Sequence, residues 1–512
     1  MAKRALIILQ RDWAIKIGLH LSKKLIEDKY ILSALTLKKS THNFFVNQSE
    51  INFCHLTNLD TIIENPHSVS GVDKITLEDV CKGISINNVW TFFQERSYIR
   101  NYNDKYYYSF KQNRNDEDCK ALIKAYYISL SNIFKHCQPE VIISPNFATL
   151  IHAMLYHFGK KYNAPMLALE PSFVSGIYSC NTDYSWGSLP FENRFKQLTE
   201  GKTESKNIQK SKKYINLFRE KFIEPTGHIE NITNISGITD DKSRQAINLP
   251  KISLKRSVRI RLRPLRQLLN GSYKGKENKL KNIGNTPDSM SFSTFIRDYF
   301  VHKKNLKDAL KIKYLDVLPN NFAYLPLQVQ PEQTIDMIAP WFNNQIEVAR
   351  LVAQSLPGDM ALIVKEHPAM LGKRSLSYYE KLNKSVNVSL VSPLLHNSEL
   401  LNKASIIIAT TGTSIFESSI YKKPVIQLGD LSVTQLLPNV YFHNHFPTLC
   451  EKISKILNDF VYDEYSEKLL TAFISSIYDT GYEIDYGGAM YHGRDLDIIW
   501  KAYENEISRV KY

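Results

Sequence analysis

From Asn321 onward, short apolar runs alternate so regularly with amphipathic ones that few folds remain open to the chain. Strand candidates stand at Phe322–Val329, Ala361–Lys365, Val386–Val391, Ser405–Ala409 and Pro424–Leu428. Helices fill the gaps at Asn343–Ser355, Leu376–Leu382, Ser398–Lys403 and Ser414–Lys422. Strand–helix–strand units of this length predict a parallel sheet covered on both faces. The N-terminal segment alternates in the same manner. Its strands are expected at Arg4–Gln10, Tyr30–Leu37, Glu140–Ser144 and Pro165–Leu169, and its helices at Trp13–Glu27 and Phe147–Tyr162. The chain therefore reads as α/β. Its two halves share a pattern but no sequence repeat.

A chain of 512 residues exceeds one ordinary core and suits two domains with an insertion. Composition shifts at 201–300, where Gly, Asn, Ser and Lys prevail, and the insertion is placed there. Within it, residues 249–282 carry eleven Lys and Arg against one acid, Glu277. The net charge of +14 points to an anionic partner: nucleotide, nucleic acid, acidic glycan or membrane surface. No nucleic-acid-binding motif is present, so that partner is not expected. The apolar stretch before Arg11 is too short for a signal-peptide core, and no apolar run approaches the ~20 residues needed to cross a bilayer. Six cysteines without CxxC spacing read as reduced thiols of a cytoplasmic protein, not as disulfides or a zinc site. Tyr98–Phe110 is crowded with tyrosines and reads as a loop surface or as a wall facing an acceptor.

In parallel sheets of this kind, ligands bind beyond the carboxyl ends of the strands. Gln328, Gln330, Pro331 and Glu332 follow the first strand of the second half. Lys365, Glu366, His367 and Pro368 follow the second. Thr410, Thr411, Gly412, Thr413 and Ser414 follow the fourth and open a helix that carries Glu417, and Gly429 and Asp430 follow the fifth. This set suits a nucleotide. A helix start offers unpaired N–H groups and a favourable dipole to phosphate, Gly412 lets the backbone approach an anion, and the threonines add hydroxyl donors. Lys365 and His367 would neutralise a phosphate leaving group, and Glu417 would take a ribose diol. Glu366 is expected to face away from Lys365 and His367 and to orient them. Neither GxxxxGK[ST] nor GxGxxG is present, which excludes a P-loop or a NAD-type fingerprint. Other readings stand beside these. Ser414 and Glu417 match S-x-x-E, in which the glutamate only closes a helix end. Pro368 also reads as a strand stop, His367 as a satisfied loop histidine, and Glu332 as a helix-start residue. Joint placement at four strand ends of one sheet favours the ligand site.

Tyr324 to Glu332 (YLPLQVQPE), Val364 to Pro368 (VKEHP), Thr411 to Glu417 (TGTSIFE) and Lys423 to Ile426 (KPVI) resemble, in order and spacing, the capsule polysaccharide biosynthesis protein family. The resemblance covers about residues 320–445. It implies a GT-B-like glycosyltransferase: two Rossmann-like domains with parallel sheets facing across a cleft. By that implication, residues 1–200 form the acceptor-side domain and 301–450 the nucleotide-sugar domain. Residues 201–300 form the basic linker, and 451–512 are C-terminal helices that pack back on the N-terminal domain. The His-Pro motif is similar to that of transferases using CMP-activated sugars such as Kdo or sialic acid. Carried over, His367 meets the donor phosphate, Thr411 to Thr413 bind phosphate or ribose, and Glu417 binds the ribose. Gln330, Glu332, Lys365, Pro368 and Ser414 complete the donor set. This chain departs from the family in the stretch Thr411 to Ser419, where the family usually has an aliphatic residue and then Glu-Ala, and the change falls at Ser418.

Inverting transfer needs a base for the acceptor hydroxyl. Two carboxylates end N-terminal strands: Asp12, which reads equally well as an N-cap of the helix from Trp13, and Glu170, which also reads as a turn residue before Pro171. Glu170 is preferred. Asp495-Leu-Asp497 imitates a DxD metal motif but reads as a helix start, and no metal or cofactor is expected beyond the nucleotide-sugar donor as substrate. The acceptor is expected to be a glycan or lipid-linked glycan. Residues 251–282 would lie on an anionic membrane surface, placing the protein in the cytoplasm, peripheral on the inner face of the membrane. A solvated linker is the alternative for this stretch. For the whole chain, the alternatives are a polyol-phosphate transferase using a CDP-linked donor and a non-catalytic polysaccharide assembly protein.

Overall fold

The alternation in the sequence becomes two sheets. A computed structural model of the chain describes residues 3–94, 115–223, 251, 253–269, 292–330 and 332–510. The tyrosine-rich stretch at 98–110, Pro331 and the rest of the basic run lie outside the described residues. The first sheet holds β1 (Arg4–Leu9), β2 (Ile31–Thr36), β3 (His55–Asn58), β4 (Val141–Ser144), β5 (Met166–Pro171) and β6 (Ile177–Asn181). The second holds β7 (Phe322–Pro326), β8 (Ala361–Lys365), β9 (Val388–Val391), β10 (Ile406–Ala409), β11 (Val425–Gln427) and β12 (Val440–Phe442). β13 (Tyr482–Glu483) returns to the edge of the first sheet.

The second sheet runs β12-β11-β10-β7-β8-β9 and is parallel throughout. This is the Rossmann order, with the strand sequence reversing between β7 and β10. The first sheet runs β13-β6-β5-β4-β1-β2-β3. Its β5-β4-β1-β2-β3 part is parallel in the same order, and the chain has the expected GT-B-like pair of Rossmann-like halves. The antiparallel edge made by β6 and β13 was not anticipated. Those strands, with β3 and β12, have two to five residues and no long apolar run, so period alone does not mark them.

Each sheet is buried on both faces because its central strands are continuously apolar. Alternate residues go to opposite sides. Ala323, Leu325, Leu362, Val364, Ile406 and Ile408 join one core, while Phe322, Tyr324, Ile363, Ile407 and Ala409 join another. The second of these cores is closed by the helices Leu189–Thr199, Ile208–Lys221 and Glu464–Thr480. Residues on both sides of position 200 therefore share one layer. Charged pairs fasten it: Arg219 donates to both carboxylate oxygens of Glu467 at 2.7 and 2.9 Å, and Arg194 Nε donates to Asp479 at 2.7 Å.

The helix Leu496–Val510 lies on the first sheet, where Ile499, Trp500, Tyr503 and Ile507 pack with Ile7, Ile143 and Leu167. Asp497 in its first turn pairs with His20 at 3.2 Å, and the Asp495 carboxylate accepts the Asp485 N–H at 3.3 Å. Tyr503 Oη, fully buried, donates to the Ser144 carbonyl at 2.9 Å and accepts the Leu169 N–H at 3.1 Å, tying the helix to β4 and β5. Tyr503→Phe strands both backbone groups without opening a large cavity. It should cost about 1–3 kcal/mol of stability in denaturant unfolding, and a loss well below that range would show that these groups find other partners.

Candidate active site

The strand order places a crevice where it reverses, beyond the carboxyl ends of β7 and β10. A cleft of about 330 Å³ opens there. Gln328, after β7, spans it by donating from Nε2 to the Thr411 carbonyl after β10 at 3.1 Å. Gly412 follows at φ +94°, and a Cβ there would stand 2.9 Å from Gln328 Oε1. Both the backbone angle and the close amide require glycine. Gly412 is the N-cap of the helix Thr413–Ile420, so the first N–H groups of that helix face the cleft region without a side-chain cap.

β8 delivers the second group. Lys365, its last residue, is buried and lines the cleft with His367 and Pro368. Glu366 forms an ion pair with Arg374 at 2.8 Å, both side chains being 5% exposed or less. The other Glu366 oxygen accepts the His367 N–H at 2.7 Å, and Arg374 Nη2 donates to the Gln328 carbonyl at 2.9 Å. Arg374 also stacks over Tyr378, 4.4 Å from the ring centre. The β7 and β8 loops are thus held by one buried pair. His367 Nδ1 accepts the Ala369 N–H at 3.1 Å, which makes Nε2 the protonated nitrogen of the neutral ring.

Glu417 lies inside the cleft and is buried. Its Oε2 accepts from Asn397 Nδ2 at 2.7 Å, and Asn397 Oδ1 accepts from Tyr324 Oη at 2.7 Å. Burial pushes the carboxyl above its ordinary range, while hydrogen bonds from Thr413 and Asn397 and the charge of Lys365 pull the other way. The S-x-x-E match does not form a capping box. The helix begins two residues earlier than that reading requires, and Glu417 reaches Asn397 instead of a backbone N–H.

Several cleft residues escaped the sequence reading, among them Asn397, His396, Trp186 and Phe222. His396 caps the helix Asn397–Lys403, with Nδ1 accepting the Ser398 N–H at 3.3 Å. Burial, and then Lys365, lower its pKa. Trp186 and Phe222 come from the segments that follow β6 and the helix Ile208–Lys221, and line the cleft. Both have positive φ, +64° and +20°, which is uncommon for such bulky residues. Asp183 holds the Trp186 turn, accepting the Ser185 and Gly187 N–H groups at 2.8 and 2.9 Å. A histidine after a short strand and two isolated aromatics carry no periodic signal.

Other expected residues stand apart. Thr411 is fully buried and donates to the Thr334 carbonyl at 3.1 Å. Gln330 is buried in a network with Asp336, Asn343 and Gln345, and does not line the cleft. Glu332 lines it, its carboxylate accepting from Thr334 Oγ1 at 2.7 Å, and Ser414 lines it as well. Asp12 sits inside the first helical turn after β1, not at its cap. Glu170, at the end of β5, is buried and accepts from Asn181 Nδ2 at 2.9 Å. It does not line the cleft, but Asn181 and Trp186 line one small adjoining hollow. A larger hollow of about 870 Å³ beside Ile312–Asn320 takes in none of the expected residues.

No family model matches the chain, and no curated protein matches it. The solved structures similar to it include a UDP-GlcNAc 2-epimerase of Methanocaldococcus jannaschii in complex with UDP-GlcNAc and UDP, at 11% identity over 93% of this chain and 99% of that one, with a TM-score of 0.24. They also include the KpsC β-Kdo 2,7-transferase of Thermosulfurimonas dismutans, at 10% identity over 68% and 79% of the two chains, with a TM-score of 0.33. The calicheamicin glycosyltransferase CalG4 is 12% identical over 93% and 95%, with a TM-score of 0.25. At such scores the fold assignment rests on the strand order above and not on these likenesses.

Two stability predictions follow from the buried charges. Arg374→Ala leaves the Glu366 carboxylate buried without its cation and should cost about 3–5 kcal/mol. In a double-mutant cycle with Glu366→Ala, the two losses should fall well short of adding, and strict additivity would deny the pairing. Burial pushes the Glu170 carboxyl from 4.5 up to about 7, against hydrogen bonds from Asn181 and the Phe147 backbone. A carboxyl raised in the folded state contributes its stability below the unfolded value and loses it as pH rises through the folded value. Relative to Glu170→Gln, the parent should therefore lose up to about 3 kcal/mol between pH 4.5 and pH 7.5. Urea unfolding of both proteins across that window checks this, and parallel pH curves would contradict it.

Proposed function

We propose that the protein is a glycosyltransferase that moves a sugar from a nucleotide-activated donor, with a CMP-sugar such as CMP-Kdo favoured, to a growing capsule or other surface polysaccharide. The observation that carries this reading is the convergence, in one cleft, of Lys365, His367 and the Gly412–Thr413 helix start with the buried carboxylate of Glu417. Cations and N–H donors suit a phosphate, and a carboxylate fixed by Asn397 suits a ribose diol. The preference for CMP rests on the resemblance of the His-Pro motif.

In the transfer, the acceptor hydroxyl oxygen bonds to the anomeric carbon as the bond from that carbon to the phosphate oxygen breaks. The electron pair leaves with the phosphate. Lys365 and the Nε2–H of His367 stabilise that departing charge in a site held away from bulk water. The hydroxyl proton goes to a base. Glu170 is assigned this role ahead of Asp12, because a carboxyl near 7 matches the working range of a general base and its partner Asn181 lines the hollow beside Trp186; the acceptor hydroxyl must reach the carboxylate itself to pass its proton. Trp186 and Phe222 form the wall on the acceptor side.

A thermal-shift panel of CMP, CDP, UDP and GDP tests the donor. CMP should raise the melting temperature in a concentration-dependent way. Stabilisation by UDP or GDP alone would overturn the donor assignment. Stabilisation by CDP together with turnover of a CDP-polyol would favour polyol-phosphate transfer. His367→Ala should lower transfer from the CMP-sugar by about 100-fold or more. Undiminished polysaccharide synthesis in cells carrying that variant would remove the catalytic reading altogether.

A further inference from the structure

The helix Leu254–Leu269 belongs to neither sheet core, and its composition is unlike that of any helix that does. Ser253 starts it, its Oγ accepting the Arg256 N–H at 3.2 Å. Five large apolar side chains on it are exposed: Leu254 at 82%, Val258 at 44%, Leu262 at 51%, Leu265 at 52% and Leu269 at 76%. Their spacing of four, four, three and four residues is the spacing of one helical face. At about 100° per residue they fall within an arc of roughly 80°. Lys255, Arg259 and Arg266 are also exposed and occupy the arc beside it, while the exposed Arg256 lies on the far side, and the helix contains no acidic residue. A stripe of this kind buried in a protein core would lose its charges to desolvation. A stripe left in water would expose five apolar side chains in a row along a helix about 24 Å long.

We infer that this helix is a docking surface for an anionic phospholipid membrane, on which it lies in the plane of the interface. The apolar stripe enters the acyl boundary, while the flanking guanidinium and ammonium groups meet the phosphate headgroups. The charge pattern selects this occupant. A protein partner covering the stripe would need a matching row of acids beside an apolar groove, whereas an anionic bilayer supplies both chemistries continuously. No described helix is long and apolar enough to cross a membrane, so the attachment is peripheral. It is independent of the nucleotide cleft, and its failure would leave the proposed transfer reaction untouched.

Flotation of the full-length protein tests it, with vesicles of phosphatidylcholine alone and of phosphatidylcholine mixed equally with phosphatidylglycerol. The protein should float with the mixed vesicles, not with the neutral ones, and added salt should weaken binding. Leu262→Ser/Leu265→Ser and Lys255→Gln/Arg259→Gln/Arg266→Gln should each lower partitioning about tenfold or more, with an unchanged melting temperature. Equal partitioning into neutral and anionic vesicles, or variants that float like the parent, would overturn the proposal. So would a parent that fails to float but shows concentration-dependent self-association abolished by the leucine variant, since the stripe would then be a contact between copies. Retention on duplex DNA without vesicle binding would overturn it equally.

Discussion

The second domain keeps the loops beside its cleft in place through one buried ion pair, that of Glu366 and Arg374. Arg374 touches the Glu366 carboxylate, the Gln328 carbonyl and the face of Tyr378. Glu366 in turn receives the backbone N–H of His367. Two loops from different strands are thereby fixed to a single guanidinium. A buried pair is a weak source of net stability, because desolvation of both charges opposes their attraction. Its value lies in geometry. Gln328 must stand where it can bridge to Thr411, and His367 where its ring is held by Ala369. Both positions depend on the same planar fork, which a lysine cannot reproduce.

Around that anchor, the cleft is assembled from both halves of the chain. The second sheet contributes cations, a helix start and a carboxylate. Segments earlier in the chain, after β6 and after the helix Ile208–Lys221, contribute aromatic side chains on unusual backbone. The indole N–H of Trp186 and the Nε2 of His396 are buried without a hydrogen-bond partner among the described residues. Buried polar groups are nearly always paired, and exceptions concentrate where a ligand or a strained backbone is part of the function. The Trp186 turn is itself held across the domain boundary, since the Ser185 carbonyl accepts both the N–H and the hydroxyl of Ser432, at 3.2 and 3.1 Å.

Much of the second domain was legible in the sequence, for a physical reason. Strands buried on both faces must be continuously apolar, so β7, β8 and β10 announce themselves, and the residues after them fall at one edge. Lys365, His367, Gly412 and Glu417 were found by that logic alone. It could not tell which residues after a strand turn toward the cleft. Thr411 and Gln330 stand in the right segments but point into the protein, where backbone carbonyls and a side-chain amide network satisfy them. Nor could it find His396, Trp186 or Phe222, whose positions depend on how separate elements pack. Glu366 pairs with Arg374 and accepts the His367 N–H, yet it lines the cleft with Lys365 and His367 and does not simply face away, and Arg374, eight residues on, carries no mark in the sequence.

The return of β13 and the helix Leu496–Val510 to the first sheet makes the second domain an insertion within the first. During synthesis, the first sheet emerges early but lacks one edge strand and the helix that covers β4 and β5. The part of its face over β4 and β5 stays open to water until residues 496–510 have left the ribosome. The second domain, by contrast, has its sheet and the shelf of Leu189–Thr199 and Ile208–Lys221 waiting for it, and needs only Glu464–Thr480 to close. The later half of the chain can thus complete its core before the earlier half does, reversing the usual N-to-C order in which domains mature.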